Sequence, residues 1–149
     1  MAVVCSSVLE LEIVLRLHTP VEQTLENSHT QLSHSFNKAR PHIEAALAHC
    51  GNTHSPEHVF SMLQAGAAKL YVGDKAAVVT QDLEMPNGVQ LHYWLAAGEL
   101  EELKQMETQI TDAARKRGIK RVSLIGRSGW LKALPGYHDA GRILVKEIA

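Results

Sequence analysis

An amphipathic segment between two strand-like runs places the strongest constraint on the fold. Across residues 99–117 the apolar side chains recur every three or four positions, which is the period of a helix with one buried face. They are Leu100, Leu103, Met106, Ile110, Ala113 and Ala114. Gly118 follows where a helix commonly ends, and residues 89–95 and 121–125 flank the segment with strand character. A strand, a long helix and a second strand predict a right-handed parallel crossover.

An antiparallel meander is predicted before this crossover. Residues 68–72 and 76–82 are short apolar runs, and the Gly73-Asp74-Lys75 sequence between them is typical of a turn. Pro86-Asn87-Gly88 marks a second turn before the strand at 89–95. A last strand is predicted at residues 142–148.

The first part of the chain is predicted to form one strand and a helical block. Residues 9–17 alternate between apolar and other side chains, as a half-buried strand does. The first helix is predicted to end near Arg40 because the residue before a proline, here Pro41, is biased away from helical geometry. The predicted helices cover residues 19–40, 41–50 and 55–66. The fold class is therefore α+β: a mixed, mostly antiparallel sheet, a parallel crossover after the fourth strand, and an N-terminal helical block.

Length and charge limit the classes of protein that fit. The 149 residues, 45% of them hydrophobic, predict one domain over residues 1–149, with 1–8 as a candidate N-terminal extension. A formal net charge of −1 excludes whole-chain basicity as a reason to bind nucleic acid. The five bases within residues 115–121 keep nucleic acid as a weak partner, although bases also suit the end of a helix.

The cysteines, histidines and N-terminal residues bear on the compartment of the protein and on metal binding. Two cysteines fit a reducing compartment, and the charged residues that interrupt the apolar N-terminus predict no signal peptide, no membrane span and synthesis in the host cytoplasm. Cys50, His54 and His58 have metal-type chemistry, but no second cysteine or acid pair completes a site. No metal site is predicted.

The order of elements resembles the GCN5-related N-acetyltransferase family. The likeness is closest over the segments VQLHYWLA, GELEELKQMETQITDAARKRG, KRVSLIG, SGWLKAL and GYHDAGRILVKEI. It implies that the strands at 89–95 and 121–125 diverge and that acetyl-CoA lies between them, with its pyrophosphate at the start of the long helix. The implied cofactor-binding residues are Ala97, Gly98, Glu99 and Leu100.

The resemblance also implies two proton-transfer residues. His92 would act as the base that deprotonates an amine, and Tyr137 as the acid that protonates the leaving thiolate. Each residue has a structural alternative: His92 fits the exposed face of a strand beside Gln90 and Trp94, and Tyr137 fits packing in a turn.

Departures from the family pattern favour a role without catalysis. Glycine occurs once in Ala96-Ala97-Gly98-Glu99-Leu100, without the family's arginine or glutamine, and Glu99, Glu101 and Glu102 are predicted to satisfy the helix start and repel an anion. The run from Arg127 to Tyr137 resembles small proteins encoded by tailed phages and prophages. The leading hypothesis is therefore a phage-encoded, acetyltransferase-like structural protein that binds no cofactor. It would occur in the host cytoplasm or in the virion, and its partners would be virion proteins or copies of itself. The alternative is an acetyl-CoA-dependent N-acyltransferase.

Overall fold

The structure is a computed structural model that describes residues 21–141 and 143–148. The strand predicted for residues 9–17 and the extension predicted for 1–8 lie outside the described residues. The element order is α1 (Val21–His49), α2 (Pro56–Gln64), β1 (Lys69–Val72), β2 (Ala76–Met85), β3 (Gly88–Gly98), α3 (Leu100–Lys116), β4 (Arg121–Leu124) and α4 (Gly129–Ala133).

Helix α1 is continuous through Pro41, so the predicted break into two helices is wrong. One apolar stripe runs along both halves of the helix and is buried against the sheet. It comprises Phe36, Ala39, Ile43, Ala46 and Leu47. Burial of this stripe stabilises the helix by more than the loss of one backbone hydrogen bond at the proline destabilises it. Pro41 itself lies on the exposed side of the helix, away from the buried stripe.

Helix α2 begins as predicted at a capped serine. The Ser55 hydroxyl accepts from the His58 amide at 3.2 Å, and the Ser55 amide donates to His58 Nδ1 at 3.1 Å. Two orphan amides are thus satisfied, and Pro56 occupies the first turn, where its missing N–H has no consequence. The helix buries Val59 and Leu63 against α1 and the sheet.

The four described strands form one mixed sheet in the order β1-β2-β3-β4. The first three pair antiparallel as the predicted meander, and β4 pairs parallel to β3 after the α3 crossover. Helices α1 and α2 cover one face, and α3 covers the other. The α+β fold class and the crossover are therefore confirmed.

A bulge in β3 reverses the side-chain pattern of that strand. Val79 pairs with Leu95 and Thr80 with Tyr93, so Trp94 is the extra residue. As a result Tyr93 packs with α3, whereas Leu95 packs with α1 and α2. Strict alternation along β3 would place Tyr93 and Leu95 on the same face, and the bulge places them on opposite faces.

The strand predicted at residues 142–148 does not form over the described residues 143–148. Ile143, Leu144, Val145 and Ile148 are instead exposed, Leu144 by 91%. A strand forms when its backbone hydrogen-bonds to a neighbouring strand, and no described strand pairs with this segment.

Candidate active site

A cleft opens where β3 and β4 part. Their pairing ends at Tyr93 and Leu124, yet β3 continues to Gly98 while β4 stops. Beyond this point lies a mostly apolar cavity of about 600 Å³. Its lining comprises Ala46, His49, Cys50, Thr53, Val78, His92, Tyr93, Trp94, Ala96, Leu103, Glu107, Leu124, Ile125, Gly126, Arg127, Trp130, Leu134, Ile143 and Val145.

The start of α3 borders this cleft and is tied to the β1–β2 turn. The completely buried Glu102 carboxylate accepts from the Asp74 amide at 2.8 Å and from the Lys75 amide at 2.7 Å. A Cβ added to Gly73 would lie 2.7 Å from Glu102 Cδ, so this turn requires the glycine for close approach. Glu102 therefore satisfies a neighbouring turn.

The other two carboxylates of this region also have specific partners. Glu99 is buried and lies 3.6 Å from Lys75 Nζ, and its amide donates to the Lys75 carbonyl at 3.1 Å. Glu101 accepts from Lys104 Nζ at 3.0 Å. No side chain caps α3 within the described residues. Glu101 and Glu102 lie in the first turn of α3, as predicted, whereas the Glu99 side chain makes no capping hydrogen bond. The repulsion of an anion by these carboxylates stays a prediction.

None of the four predicted cofactor-binding residues is among the residues that line the cavity, although the chain neighbours Ala96 and Leu103 do line it. Ala97 packs toward α1, and Leu100 is 42% exposed. Gly98 has φ +129°, and a Cβ there would meet the Lys75 carbonyl oxygen at 2.3 Å. The glycine is thus required by contact with β2, whether or not a ligand binds.

His92 lines the cavity from β3 and is half-buried. Its Nδ1 lies 2.9 Å from Ser123 Oγ on β4, which also accepts from Gln90 Nε2 at 2.6 Å. Burial lowers the pKa of His92 below its ordinary value. The neutral imidazole is therefore favoured, as a proton acceptor near neutral pH requires.

Tyr137 is not among the residues that line the cavity, but it contacts one that is. Its hydroxyl donates to Glu107 Oε1 at 2.8 Å. Burial and this hydrogen bond raise the pKa of Tyr137. Glu107 Oε1 also accepts from Thr111 at 2.8 Å, and the Tyr93 hydroxyl lies 2.8 Å from Thr111 Oγ1.

Glu107 is a candidate functional residue that sequence reasoning missed. It lies one helical turn after Leu103, so the two side chains share a face of α3 and both line the cleft. A polar residue one turn from a predicted core position is a weak signal. Glu107 is a candidate because the structure shows that it lines the cavity.

The remaining motifs have structural explanations. No group of metal-ligating side chains occurs within residues 21–141 and 143–148. His58 belongs to the cap of α2, and the His54 ring packs edge-on against Trp94. In the basic cluster, Arg115 pairs with Asp112 and Arg117 pairs bidentately with Asp82 at 2.7 and 3.1 Å. In the part of the chain that the structure describes, no helix has the length and apolarity needed to span a membrane.

Comparison with known proteins relates the chain to acetyltransferases by structure alone. No protein-family model matches the chain, and no curated protein matches it. Among solved structures, a predicted acetyltransferase from Clostridium acetobutylicum, solved with acetyl-CoA, superposes with a TM-score of 0.50. The alignment covers 62% of this chain and 71% of that one at 12% identity.

An aminoglycoside acetyltransferase from an uncultured soil metagenomic sample also matches, in separate structures with trehalose and with sisomicin. In both the TM-score is 0.58 and the identity 9%, and the alignment covers 81% of this chain and 92% of the other. At this identity the likeness establishes the fold. The chain therefore has the GCN5-related N-acetyltransferase fold, as its element order predicted.

Proposed function

We propose that the protein is an acetyl-CoA-dependent N-acyltransferase. The observation that carries the proposal is the cleft between β3 and β4, bordered by the first turn of an α3 helix that no described side chain caps. A helix start of this kind offers free amides and a partial positive charge to an anion. The acetyltransferase fold of the solved neighbours supports the same function.

The residues of the cleft fit acetyl-CoA. The amides of Leu100 and Glu101 belong to the first turn, and within the described residues no acceptor bonds to them. Arg127, exposed at the cavity wall, adds a positive charge for phosphate, and the apolar lining suits a thioester chain. Bound acetyl-CoA supplies an activated acetyl group: the amine nitrogen bonds to the carbonyl carbon, the C–S bond breaks, and one proton passes from nitrogen to sulfur.

The hydrogen bond between His92 and Ser123 supports a role for His92 as general base. When Nδ1–H donates to Ser123 Oγ, the remaining nitrogen, Nε2, is left to accept a proton. Ser123 then accepts two hydrogen bonds, from His92 and from Gln90, which its oxygen lone pairs allow. In this tautomer Ser123 fixes the orientation of the ring.

Tyr137 remains a candidate for protonating the thiolate. Its hydroxyl proton is held by Glu107, so delivery into the cleft requires this hydrogen bond to break or Glu107 to relay a proton. A Y137F variant that keeps the full rate of thiol release would exclude the role.

Thermal unfolding with acetyl-CoA tests the proposed function. A ligand at about 100 times its dissociation constant adds ~2.7 kcal/mol to the free energy of unfolding, which raises Tm by roughly 5–10 °C for a domain of this size. Acetate at equal concentration is the control. A Tm that acetyl-CoA leaves unchanged, or that acetate raises equally, would contradict the proposal.

A variant pair separates the helix start from the rest of the cleft. Leu100→Pro removes one amide donor at a position where proline suits a helix, and the preceding Glu99 already has the extended geometry that proline demands (φ −70°, ψ 131°). Leu100→Ala keeps the amide. We expect L100P to weaken acetyl-CoA binding about tenfold relative to L100A. Equal affinities would remove the helix start from the binding site.

The virion role that the sequence favoured stays a prediction based on resemblance, since neither acetyltransferase named above is described as a phage protein. Mass spectrometry of purified particles would test it. Detection of the chain in stoichiometric amount would support a structural role, and its absence from particles would leave the enzyme proposal as the one to pursue.

A further inference from the structure

Few acidic or strongly basic side chains line the cleft. Among the described lining residues, Glu107 is the only carboxylate and Arg127 the only lysine or arginine. Three aromatic residues, Tyr93, Trp94 and Trp130, are among the other lining residues. A polycation would find one carboxylate here, so its other positive charges would lose hydration without an acidic partner among the described lining residues.

The carboxylate of Glu107 accepts side-chain hydrogen bonds at only one of its two oxygens within the described residues. Both of its hydroxyl donors, from Thr111 and from Tyr137, reach Oε1. Within the described residues no donor bonds to Oε2, and no lysine or arginine forms an ion pair with this carboxylate. An ionised carboxylate has about four acceptor sites. Oε2 therefore retains its capacity to accept from a cation that enters the cleft.

We infer that the acyl acceptor is a primary amine with a single positive charge and an apolar, preferably aromatic, body, and that Glu107 Oε2 accepts hydrogen bonds from its ammonium group. This substrate class rests on the proposed N-acyltransferase function. The aromatic rings stack on the apolar body, and no second carboxylate among the described lining residues pairs with a further positive charge. The ammonium loses one proton before its nitrogen can attack.

Direct binding measurements test the inference without acyl transfer. The probes are 2-phenylethylamine, the uncharged 2-phenylethanol, and the polycation sisomicin, each titrated into the full chain by calorimetry. We expect the amine to bind at least about tenfold more tightly than the alcohol, because hydrogen bonds between ions are about twice as strong as neutral ones. Tighter binding of sisomicin, or equal binding of amine and alcohol, would overturn the inference.

Two variants assign the preference to one carboxylate. Glu107→Gln keeps the size of the side chain and removes its charge, so it should abolish the difference between amine and alcohol. Asp112→Asn makes the same change at an exposed residue of α3 that pairs with Arg115, and it should keep the difference. Should E107Q fail to fold, the comparison of the three probes on the unaltered chain still decides.

Thiol release from acetyl-CoA distinguishes this inference from the function on which it rests. Glu107-dependent amine binding without any acetyl-CoA binding would refute the N-acyltransferase function and leave an amine site. Turnover of sisomicin at a higher kcat/KM than 2-phenylethylamine would refute the amine class and leave the N-acyltransferase function.

Discussion

At the scale of single residues, identical side chains perform different tasks. Glu102 is completely buried and stabilises the β1–β2 turn through two backbone amides, whereas Glu107, on the same helix, borders the cleft. A carboxylate that accepts two backbone amides is a structural group, and removal of either partner leaves unsatisfied polar atoms. Position in the chain does not separate these roles, since both residues lie on α3.

The pH dependence of stability provides a test of the environment of His92. Burial lowers the pKa of His92 in the folded state, so below the ordinary value of 6.5 the unfolded chain binds the proton and the folded chain does not. The free energy of unfolding contributed by His92 is therefore unaffected above pH 6.5 and falls as the pH drops below it. Urea unfolding of the unaltered chain and His92→Gln across this range measures the difference.

We expect H92Q to lose part of the acid sensitivity, since glutamine does not titrate. The remaining histidines are common to both proteins, and their effects cancel in the comparison. The acidic limb of kcat/KM should likewise have its midpoint below pH 6.5 if His92 is the base. Identical pH dependence of unfolding in the two proteins would refute the buried environment.

At the scale of elements, tertiary packing decides where helices and strands end. Helix α1 continues through Pro41 because its buried stripe spans both sides of the proline. In β3, the bulge at Trp94 changes which face each side chain occupies. Neither feature follows from propensity, since each depends on the partner surface.

Replacement of Pro41 should stabilise α1. Pro41→Ala restores the amide that donates to the carbonyl of Asn37, and proline in a helix interior costs about 3 kcal/mol relative to alanine. Part of this gain is offset by the greater freedom of the unfolded chain, so we expect an increase of about 1–2 kcal/mol in the free energy of unfolding.

Chemical denaturation measures this change, and Gln31→Ala is the matched control at an exposed position of the same helix. Its effect should be a few tenths of a kcal/mol, from helix propensity alone. A destabilised P41A protein would show that the proline has a role in packing that its exposure conceals.

At the scale of the whole molecule, distant parts of the chain meet at the start of α3. The β1–β2 turn bonds to Glu99 and Glu102, while β3 ends in Gly98 against the backbone of Lys75 and Ala76. This junction sets where α3 begins relative to the sheet. The position of the cleft edge therefore depends on contacts between residues about 25 positions apart.

Gly98→Ala should disrupt this junction. A Cβ at Gly98 would meet backbone atoms at 2.3 and 2.4 Å, which cannot yield as a flexible side chain can. We expect a loss of more than about 2 kcal/mol in the free energy of unfolding, together with weaker acetyl-CoA binding.

Gly118→Ala isolates the contribution of backbone conformation. Gly118 also has a positive φ, +83°, but no atom lies within 4 Å of an added Cβ. Its loss should be roughly 1–2 kcal/mol, the penalty of the left-handed conformation alone. Equal losses for G98A and G118A, measured by urea unfolding, would show that the close approach at Gly98 does not matter.

The sequence by itself determined the α+β class, the meander and the parallel crossover. These features depend on the period of apolar residues and on turn residues, which act over a few positions. His92, which the resemblance implied as a base, lines the cleft, and its catalytic role stays a prediction.

Only the tertiary structure decided the continuity of α1, the bulge in β3 and the orientation of the carboxylates near the cleft. Each depends on which distant surface a side chain meets, and local periodicity does not encode that contact. Glu102 binds a turn and Glu107 faces a cavity because α3 packs on the sheet in one particular register.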